Sequence, residues 1–271
     1  MNAADTRAAP PLTIERPQPG VAVLTMNRPD TRNSLSIAVI DGLRLAITDL
    51  AEAPDVFAIV LAAKGPVFSA GHDLKELTAH RRDADGGLAF YERAMSRCSD
   101  MMQTIVACPK PVIAAVQGTA TAAGCQLVAT CDLAVAAEEA QFCTPGVNIG
   151  LFCSTPMVAL TRNVGRKQAM EMLLLGEMLP AAKAAEYGLV NRVVPQASLM
   201  QEALAIAGKI AGKSPATVAI GKATFYAQAE MPLKDAYAHA TKVMVENMMA
   251  RDAAEGIAAF LDKRKPQWKN C

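Results

Sequence analysis

The chain has 271 residues, with 27 lysines and arginines against 26 aspartates and glutamates, so its formal net charge is +1. A balanced charge of this kind argues against binding of nucleic acid or of an anionic membrane surface. No apolar run reaches the roughly 18 residues that a transmembrane helix requires, and the length suffices for one large domain, or for a domain with a helical appendage.

The start of the chain and the cysteines bear on localisation. Residues 1–20 lack the apolar segment of a signal peptide. Their prolines and alanines are typical of a loose arm, and we assign residues 1–11 to a disordered arm. The seven cysteines are scattered and never spaced C-x-x-C, which is typical of buried thiols in a reducing compartment. We therefore expect a cytoplasmic protein without a metal site.

Buried strands alternate with helices through the first two thirds of the chain. Short runs of valine, isoleucine and alanine predict buried strands, and capped amphipathic segments predict helices. The predicted strands are residues 21–26, 57–62, 112–116, 133–136 and, at an edge, 188–190 with 193–195. The first predicted helix starts at Ser34 or Ser36 and ends near Glu52. The other predicted helices are residues 88–106, 125–130, 154 or 155 to about 164, 169–175 and 181–187. Residues 75–87 and 142–151 are predicted to be loops.

The last third of the chain is helical in pattern. Residues 198–261 are interrupted only at Ser214-Pro215 and at Met231-Pro232. Strands that alternate with helices, followed by helices alone, predict an α/β core with a C-terminal helical module. We place the core at residues 12–197 and an all-helical, oligomerisation module at residues 198–271.

Two segments share one form: a buried strand, a turn of small residues and the start of a helix. They are residues 57–74 and 112–127. The start of a helix presents backbone N–H groups that suit an anion, or an oxygen that becomes anionic during a reaction. Two such groups from separate segments can converge on one carbonyl oxygen and form an oxyanion hole. The alternative is that the small residues only pack the helix against the sheet.

Several motifs along the chain are shared with one known superfamily. They are Asn27-Arg28-Pro29, Arg32-Asn33-Ser34-Leu35, residues 68–75 (FSAGHDLK), residues 110–118 (KPVIAAVQG), Gly124-Cys125-Gln126-Leu127, Cys131-Asp132-Leu133, Gly188-Leu189-Val190-Asn191 and residues 255–264 (EGIAAFLDKR). From about residue 12 to 268 the chain resembles the crotonase, or enoyl-CoA hydratase/isomerase, superfamily. Residues 120–127, 144–147 and 150–156 look closest to one particular branch of it.

The resemblance implies a fold, a ligand and a set of site residues. The fold is a crotonase-like spiral of repeated β-β-α units with a C-terminal all-helical module, assembled as a homotrimer or homohexamer. The ligand is an acyl-CoA thioester, with no further cofactor, whose oxygen lies between the backbone N–H groups of His72 and Ala123. The substrate-binding positions that it implies are Arg28, Arg32, Ala70, Asp73, Leu74, Lys75, Gly124, Phe260 and Lys263. For each arginine or lysine, a solvated surface charge is the alternative.

The chain departs from the superfamily at two positions that matter for chemistry. Hydratases of this superfamily carry two glutamates, which would align with Gln126 and Gly146. Neither residue can act as a general acid or base, a role that contributes a factor of roughly 10² to 10⁴, whereas an oxyanion-hole donor contributes about 10² to 10³. We therefore expect weak hydration or a different acyl-CoA reaction. The alternative is a non-catalytic acyl-CoA binding or regulatory protein.

Other polar residues were weighed as substitutes for the glutamates. His72 has a suitable pKa for a base, but its backbone is the group that the superfamily uses, and a structural histidine is the alternative. Asp132 is expected to have a structural role at a helix end. Cys125 and Cys153 are expected to be buried, inert thiols.

Overall fold

The computed structural model describes residues 10–270. Most of the predicted disordered arm, residues 1–9, lies outside the described residues. The strands are β1 Leu12–Gln18, β2 Gly20–Met26, β3 Val56–Ala63, β4 Val67–Ser69, β5 Val112–Val116, β6 Thr119–Thr121, β7 Leu133–Ala137, β8 Gln141–Cys143, β9 Leu179–Pro180 and β10 Arg192–Val194. The helices are α1 Ile37–Glu52, α2 Leu74–Ala79, α3 Leu88–Ala107, α4 Ala123–Thr130, α5 Pro156–Leu160, α6 Arg166–Leu175, α7 Ala181–Tyr187, α8 Leu199–Ala211, α9 Pro215–Ala229, α10 Leu233–Met248 and α11 Arg251–Leu261.

The strands form two sheets, between which the chain alternates. The six-stranded sheet has the order β1-β2-β3-β5-β7-β10, and the four-stranded sheet has the order β4-β6-β8-β9. Strands β3, β5 and β7 pair in parallel in the first sheet, as β4, β6 and β8 do in the second. Each passage through the two sheets is followed by a helix. This confirms the predicted spiral of β-β-α units.

The side chains of the four central strands of the six-stranded sheet, β2, β3, β5 and β7, are buried on both faces. On one face, Leu24 and Leu61 pack into the large core with residues of α1, α3 and α4. On the other face, Val23 and Val60 pack against Leu199 and other residues of α8. Because successive side chains in a strand point to opposite faces, burial of both faces requires a continuous apolar run. Burial of both faces therefore explains the continuous apolar runs from which these strands were predicted.

The C-terminal helices α9, α10 and α11 pack on one another, and α9 is attached to the core by a buried ion pair. Lys222 Nζ lies 2.7 Å from Asp132 Oδ2, with side chains 6% and 15% exposed. The hydroxyl of Tyr226 donates to Asp132 Oδ1 at 2.9 Å, and the backbone N–H of Val112 donates to Asp132 Oδ2 at 2.7 Å. Burial, together with this carboxylate, raises the pKa of Tyr226. Asp132 therefore anchors α9.

Three predicted segments differ from the structure. Residues 12–18, taken as part of a loose arm, form strand β1, antiparallel to β2 at the edge of the sheet, where charges and proline are tolerated. Residues 75–87, predicted to be a loop, include most of α2 and a 3₁₀ helix at His80–Arg82. The helical module has a further break before α11, at Ala250 (φ −67°, ψ 146°), which no proline or glycine marks.

Other boundaries shifted by a few residues. The predicted loop at 142–151 contains the end of β8 and a 3₁₀ helix at Pro145–Ile149. The division between core and module at residue 198 stays a prediction, and α8 packs directly on the six-stranded sheet. Between residues 10 and 270, no helix combines the length and the apolar character needed to cross a membrane.

Candidate functional site

The two segments with a strand, a small-residue turn and a helix start lie against each other. A Cβ placed on Gly71 would lie 3.2 Å from the backbone nitrogen of Ala123. A Cβ placed on Gly124 would lie 2.4 Å from the carbonyl oxygen of Ser69. Strands β4 and β6 pair in parallel, so the turns that follow them leave the sheet at the same edge. Only glycine at positions 71 and 124 allows this close contact between the two backbones.

The first turn is held in place by the segment around Asn33. Ala70 N–H donates to the carbonyl of Arg32 at 3.0 Å, and Leu35 N–H donates to the carbonyl of Gly71 at 2.8 Å. The side chain of Asn33, which is 1% exposed, donates to the carbonyls of Lys64 and Val67 at 2.9 and 2.8 Å. Asn33 lies in one of the motifs shared with the superfamily, but its sequence position alone predicts no role for it. The structure shows that it positions the turn.

The backbone N–H of His72 remains free in this arrangement. The bridge between Leu35 and His72 uses the carbonyl of Gly71 and the N–H of Asp73, which donates to Leu35 at 3.4 Å. The N–H of His72 therefore faces away from Leu35, and it donates no hydrogen bond to another described residue.

The second turn leaves the N–H groups at the start of α4 free as well. Ala122 precedes the helix with φ 48° and ψ −118°, a conformation that costs a non-glycine residue about 1–3 kcal/mol. Its N–H donates to the carbonyl of Cys143 at 2.9 Å, and its carbonyl accepts from Gln126 N–H at 3.0 Å. Within residues 10–270, the N–H groups of Ala123 and Gly124 donate no backbone hydrogen bond outside the helix. The site therefore combines free donors from both turns.

Two buried polar side chains next to this helix start have no hydrogen-bond partner among the described residues. Gln126 lies in α4 and is 5% exposed, and its Oε1 is unpaired. Thr144 is fully buried, and its Oγ1 is unpaired, although it occupies the N-cap position of the 3₁₀ helix Pro145–Ile149. A threonine at an N-cap position usually accepts a backbone hydrogen bond. The hydroxyl of Thr144 is therefore left for another partner.

The backbone closes around Gly146, the other position of interest. A Cβ on Gly146 would lie 2.9 Å from the carbonyl oxygen of Leu151 and 3.0 Å from Cys153 Sγ. The N–H of Leu151 also donates to the carbonyl of Gly146 at 2.9 Å. A larger residue at 146 would thus require the loop at 150–153 to move.

Burial near the site favours the neutral forms of one imidazole and three thiols. Burial lowers the pKa of His72 below its usual value of 6.5, against a smaller opposing effect of a hydrogen bond to the backbone of Leu35. Its Nε2 is buried, with no partner in the described part of the chain. Burial raises the pKa of the Cys125, Cys143 and Cys153 thiols, to about 11 for Cys143. These thiols remain protonated, and therefore weakly nucleophilic, at neutral pH.

A groove beside α2 contains two of the proposed substrate-binding residues. It has a volume of about 600 Å³ and is lined by Leu74, Lys75, Thr78, Ala79 and Arg82. Arg82 and Thr78 were not identified from the sequence, because residues 75–87 were taken as a loop. The exposed Arg28 and Arg32 flank the 3₁₀ helix Pro29–Thr31.

Three further residues predicted from the sequence have other positions or partners. The carboxylate of Asp73 caps α2 by accepting from the N–H groups of Lys75 and Glu76 at 2.9 and 3.2 Å. Phe260 lies at the end of α11, which packs on α9 and α10, and is 82% exposed. Lys263 follows α11 with a φ of 55°. Phe260 and Lys263 therefore belong to the surface of the helical module.

The fold and the paired turns define a class of protein. Parallel β-β-α units with a C-terminal helical module, as described above, are the architecture of the crotonase superfamily. The family model of enoyl-CoA hydratase/isomerase matches residues 16–271. The chain therefore belongs to the enoyl-CoA hydratase/isomerase family.

Relatives and solved structures narrow the position within the family. The chain is 48% identical over 267 residues to the mitochondrial enoyl-CoA hydratase domain-containing protein 3 of Rattus norvegicus, covering 98% of this chain and 87% of the relative. The crystal structure of the human protein of that name has a TM-score of 0.90 and 47% identity, covering 96% of this chain and all of that one (100%). An enoyl-CoA hydratase of Mycobacterium smegmatis has a TM-score of 0.91 and 52% identity, with 96% and 99% covered. The first two proteins belong to the branch that residues 120–127, 144–147 and 150–156 were predicted to resemble. The similarity over nearly the whole chain confirms that prediction.

Proposed function

We propose that the protein binds an acyl-CoA thioester whose carbonyl oxygen accepts hydrogen bonds from the backbone N–H groups of His72 and Ala123. The observation that carries this proposal is the contact of the two turns at Gly71 and Ala123, with free N–H groups on both sides. Donors fixed in place before the reaction stabilise negative charge on that oxygen without reorganisation. Membership of the enoyl-CoA hydratase/isomerase family supports the choice of ligand.

The same site is poorly suited to efficient hydration. Addition of water to an enoyl thioester needs groups that take and return protons, and Gln126 and Gly146 supply none at the positions of the hydratase glutamates. His72 is a neutral imidazole at neutral pH, because burial lowers its pKa. We therefore propose weak hydration, or another acyl-CoA reaction in which water or the substrate itself carries the proton. No cofactor beyond the CoA thioester is proposed.

A second candidate is a non-catalytic acyl-CoA binding or regulatory protein. It is favoured by the position of the loop at 150–153, which leaves no room for a side chain at Gly146. Such a protein keeps the free N–H groups that hold the thioester but performs no proton transfer. The two candidates predict the same ligand and differ in turnover.

A panel of saturated and enoyl-CoA thioesters, titrated by calorimetry and assayed for product in parallel, separates the candidates. Micromolar or tighter binding with product from at least one thioester supports the enzyme and contradicts the non-catalytic protein. Tight binding without product from any thioester contradicts the enzyme. Absence of binding contradicts both.

The groove beside α2 is the proposed position of the CoA moiety. Lys75 and Arg82 supply positive charge there, and Arg28, Arg32 and Lys263 are further proposed neighbours of the phosphates. We propose a homotrimer or homohexamer, in which Phe260 and Lys263 approach the groove of an adjacent subunit. Cytoplasmic localisation also remains a proposal, since several relatives carry the word mitochondrial in their names. Fractionation of cells that express the chain tests the localisation.

A further inference from the structure

Unpaired polar atoms are concentrated at the site. Five buried side-chain atoms lack a hydrogen-bond partner in the described part of the chain. Three of them, on His72, Gln126 and Thr144, belong to the segments that meet at the start of α4, and the other two are on Thr13 and Gln117. Buried polar groups are nearly always paired, so a cluster of exceptions indicates a ligand or a role in chemistry.

Ala122 is hydrogen-bonded both to the segment that contains Thr144 and to Gln126. The N–H of Ala122 donates to the carbonyl of Cys143, the residue before Thr144, at 2.9 Å. The carbonyl of Ala122 accepts from the N–H of Gln126 at 3.0 Å. A helical side chain leans toward the N-terminus of its helix, and three residues of helix span about 4.5 Å. The amide of Gln126 therefore extends over the turn that carries the free N–H of Ala123.

The chemistry of the two groups limits what can pair with both. Gln126 Oε1 can only accept a hydrogen bond, whereas the hydroxyl of Thr144 both donates and accepts. A ligand hydroxyl can donate to Gln126 and accept from Thr144 at the same time. A ketone oxygen cannot donate to Gln126 Oε1 and leaves that atom unpaired, and a saturated or enoyl chain pairs with neither group.

We propose that Gln126 and Thr144 form a subsite that selects acyl-CoA thioesters with a hydroxyl group on the acyl chain close to the thioester. This inference rests on the proposed function, because the subsite is defined relative to a thioester oxygen held at Ala123. The amide at 126, where a hydratase has a glutamate, then serves recognition of the acyl chain. It is a specificity-determining residue.

Calorimetric titration with thioesters of four butyryl-length acyl groups tests the proposal: butyryl-CoA, crotonyl-CoA, 2-hydroxybutyryl-CoA and 3-hydroxybutyryl-CoA, with both enantiomers of each hydroxyacyl group titrated separately. At least one hydroxyacyl thioester is expected to bind about tenfold more tightly than butyryl-CoA, which is the effect of one buried hydrogen bond. The preferred isomer shows which carbon carries the hydroxyl.

Two variants test whether the preference for a hydroxyacyl thioester depends on the side chains of Gln126 and Thr144. Gln126→Leu and Thr144→Val are each expected to reduce it to less than about twofold, mainly by weakening the hydroxyacyl thioester. The matched control is Thr130→Val in the same helix, because the hydroxyl of Thr130 is already paired with the carbonyl of Gln126 at 2.7 Å. This variant is expected to keep the preference.

Thermal unfolding separates recognition from a structural role. Replacing an unpaired buried polar group with an apolar one of similar shape is nearly neutral or stabilising, so the melting temperatures of Gln126→Leu and Thr144→Val are expected to be unchanged or higher. Lower melting temperatures with an unchanged preference would overturn the proposal. Equal affinities of the wild type for all of the thioesters would also overturn it, while leaving acyl-CoA binding intact. Absence of binding to any thioester would overturn the proposed function itself.

Discussion

Position 126 shows how much chemistry can depend on one side-chain atom. An amide and a carboxylate have nearly the same shape, and Gln126 occupies a buried position in a helix whose other residues are also buried. The amide can recognise a neutral hydroxyl, but it does not titrate near neutral pH. In the proposed site, Gln126 therefore binds the acyl chain and takes no part in proton transfer.

The variant Gln126→Glu is expected to raise the rate of crotonyl-CoA hydration by about 10², the lower end of what a general acid–base group contributes. The measurement is the loss of enoyl thioester absorbance with time. Gln201→Glu, at an exposed position of α8, is the control and is expected to leave the rate unchanged. If the wild type already hydrates crotonyl-CoA as fast as a relative with both glutamates, the interpretation of positions 126 and 146 is wrong.

His72 makes folding depend on pH in a direction that follows from its burial. Its pKa is lowered in the folded protein, so the unfolded chain binds more protons than the folded one as the pH falls below about 6.5. The stability contributed by the neutral imidazole is present above pH 6.5. It is lost as the pH falls from there toward the lowered pKa.

The variant His72→Gln is therefore expected to lose less stability than the wild type when the pH is lowered from 8 to 5. Urea unfolding at a series of pH values measures the free energy of unfolding of both proteins. The difference between the two free energies at pH 8 serves as the reference. A difference in free energy of unfolding that stays constant from pH 8 to pH 5 would contradict the lowered pKa of His72.

At the scale of elements, the site depends on how closely α4 approaches the turn after β4. Each segment supplies N–H donors from one side of the proposed site only. The contact between Gly124 and Ser69 sets the distance between the two segments. The parallel pairing of β4 with β6 brings them to the same edge of the sheet. The second sheet of the spiral thus has a direct role in forming the site.

A methyl group at this contact is expected to disturb the site. In Gly124→Ala, the new Cβ would lie 2.4 Å from the Ser69 carbonyl oxygen, which must force the segments apart, and displacements of about 1 Å can cost a factor of about 10² in a catalytic site. Affinity for acyl-CoA thioesters is expected to fall at least about tenfold, by calorimetry. Gly221→Ala, in open space in α9, is expected to keep the affinity and to gain about 1 kcal/mol of stability. Equal affinities of both variants would contradict the role of the contact.

The attachment of α9 is a second feature at this scale. Lys222 also donates to the carbonyls of Ile105 and Lys110, at 2.9 and 3.2 Å, so one ammonium group joins α9 to three parts of the core. Lys222→Met leaves the Asp132 carboxylate buried without its cation. The free energy of unfolding is expected to fall by about 3 kcal/mol or more.

Urea unfolding of Lys222→Met beside Tyr226→Phe tests this assignment. The second variant loses one hydrogen bond to the carboxylate and keeps the cation, so a smaller loss of about 2 kcal/mol is expected. An effect of Lys222→Met no larger than that of Tyr226→Phe would show that the ion pair is not the main anchor.

For the whole molecule, the exposed apolar residues of the helical module indicate an interface. They include Phe225, Leu233, Met244, Val245, Met248, Met249, Phe260 and Leu261, all more than half exposed. A charged substitution there is expected to prevent assembly. The double variant Phe260→Asp with Leu261→Asp is therefore expected to sediment as a monomer in analytical ultracentrifugation, whereas the wild type is expected to sediment as a trimer or hexamer.

The same variant also tests whether a neighbouring subunit contributes to the site. If Phe260 and Lys263 approach the groove of an adjacent subunit, the monomer is expected to bind acyl-CoA more weakly than the assembled protein. Lys234→Glu, an exposed change on α10, is the control and should alter neither property. A monomeric wild type would contradict the proposed assembly.

The fold was predictable where local pattern and burial agree. Strands such as Val56–Ala63 are apolar on both faces because both faces are covered, and Ser36, one of the two predicted caps, accepts from the N–H of Val39 at the start of α1. Strand β1 was missed because Glu15, Arg16 and Pro17 suit an edge strand and a loop equally well. The edge position is a property of the sheet, which the segment alone does not encode.

The site was predictable only in its separate halves. Small residues at 69–71 and 119–124 indicated two helix starts, but their contact depends on strand pairing between distant segments. The partnership of Lys222 with Asp132 spans 90 residues, and no local pattern marks that lysine. The unpaired hydroxyl of Thr144 could not be found from the sequence either, because a threonine before proline resembles an ordinary cap.

The closed backbone around Gly146 has an evolutionary consequence. With the Leu151 carbonyl at 2.9 Å from the place of a Cβ, a glutamate can be introduced at 146 only if residues 150–153 change as well. Position 126 is under no such restriction, because a glutamate has nearly the shape of the glutamine already there. Variants selected for hydration are therefore expected to acquire a glutamate at 126 first, and only later at 146.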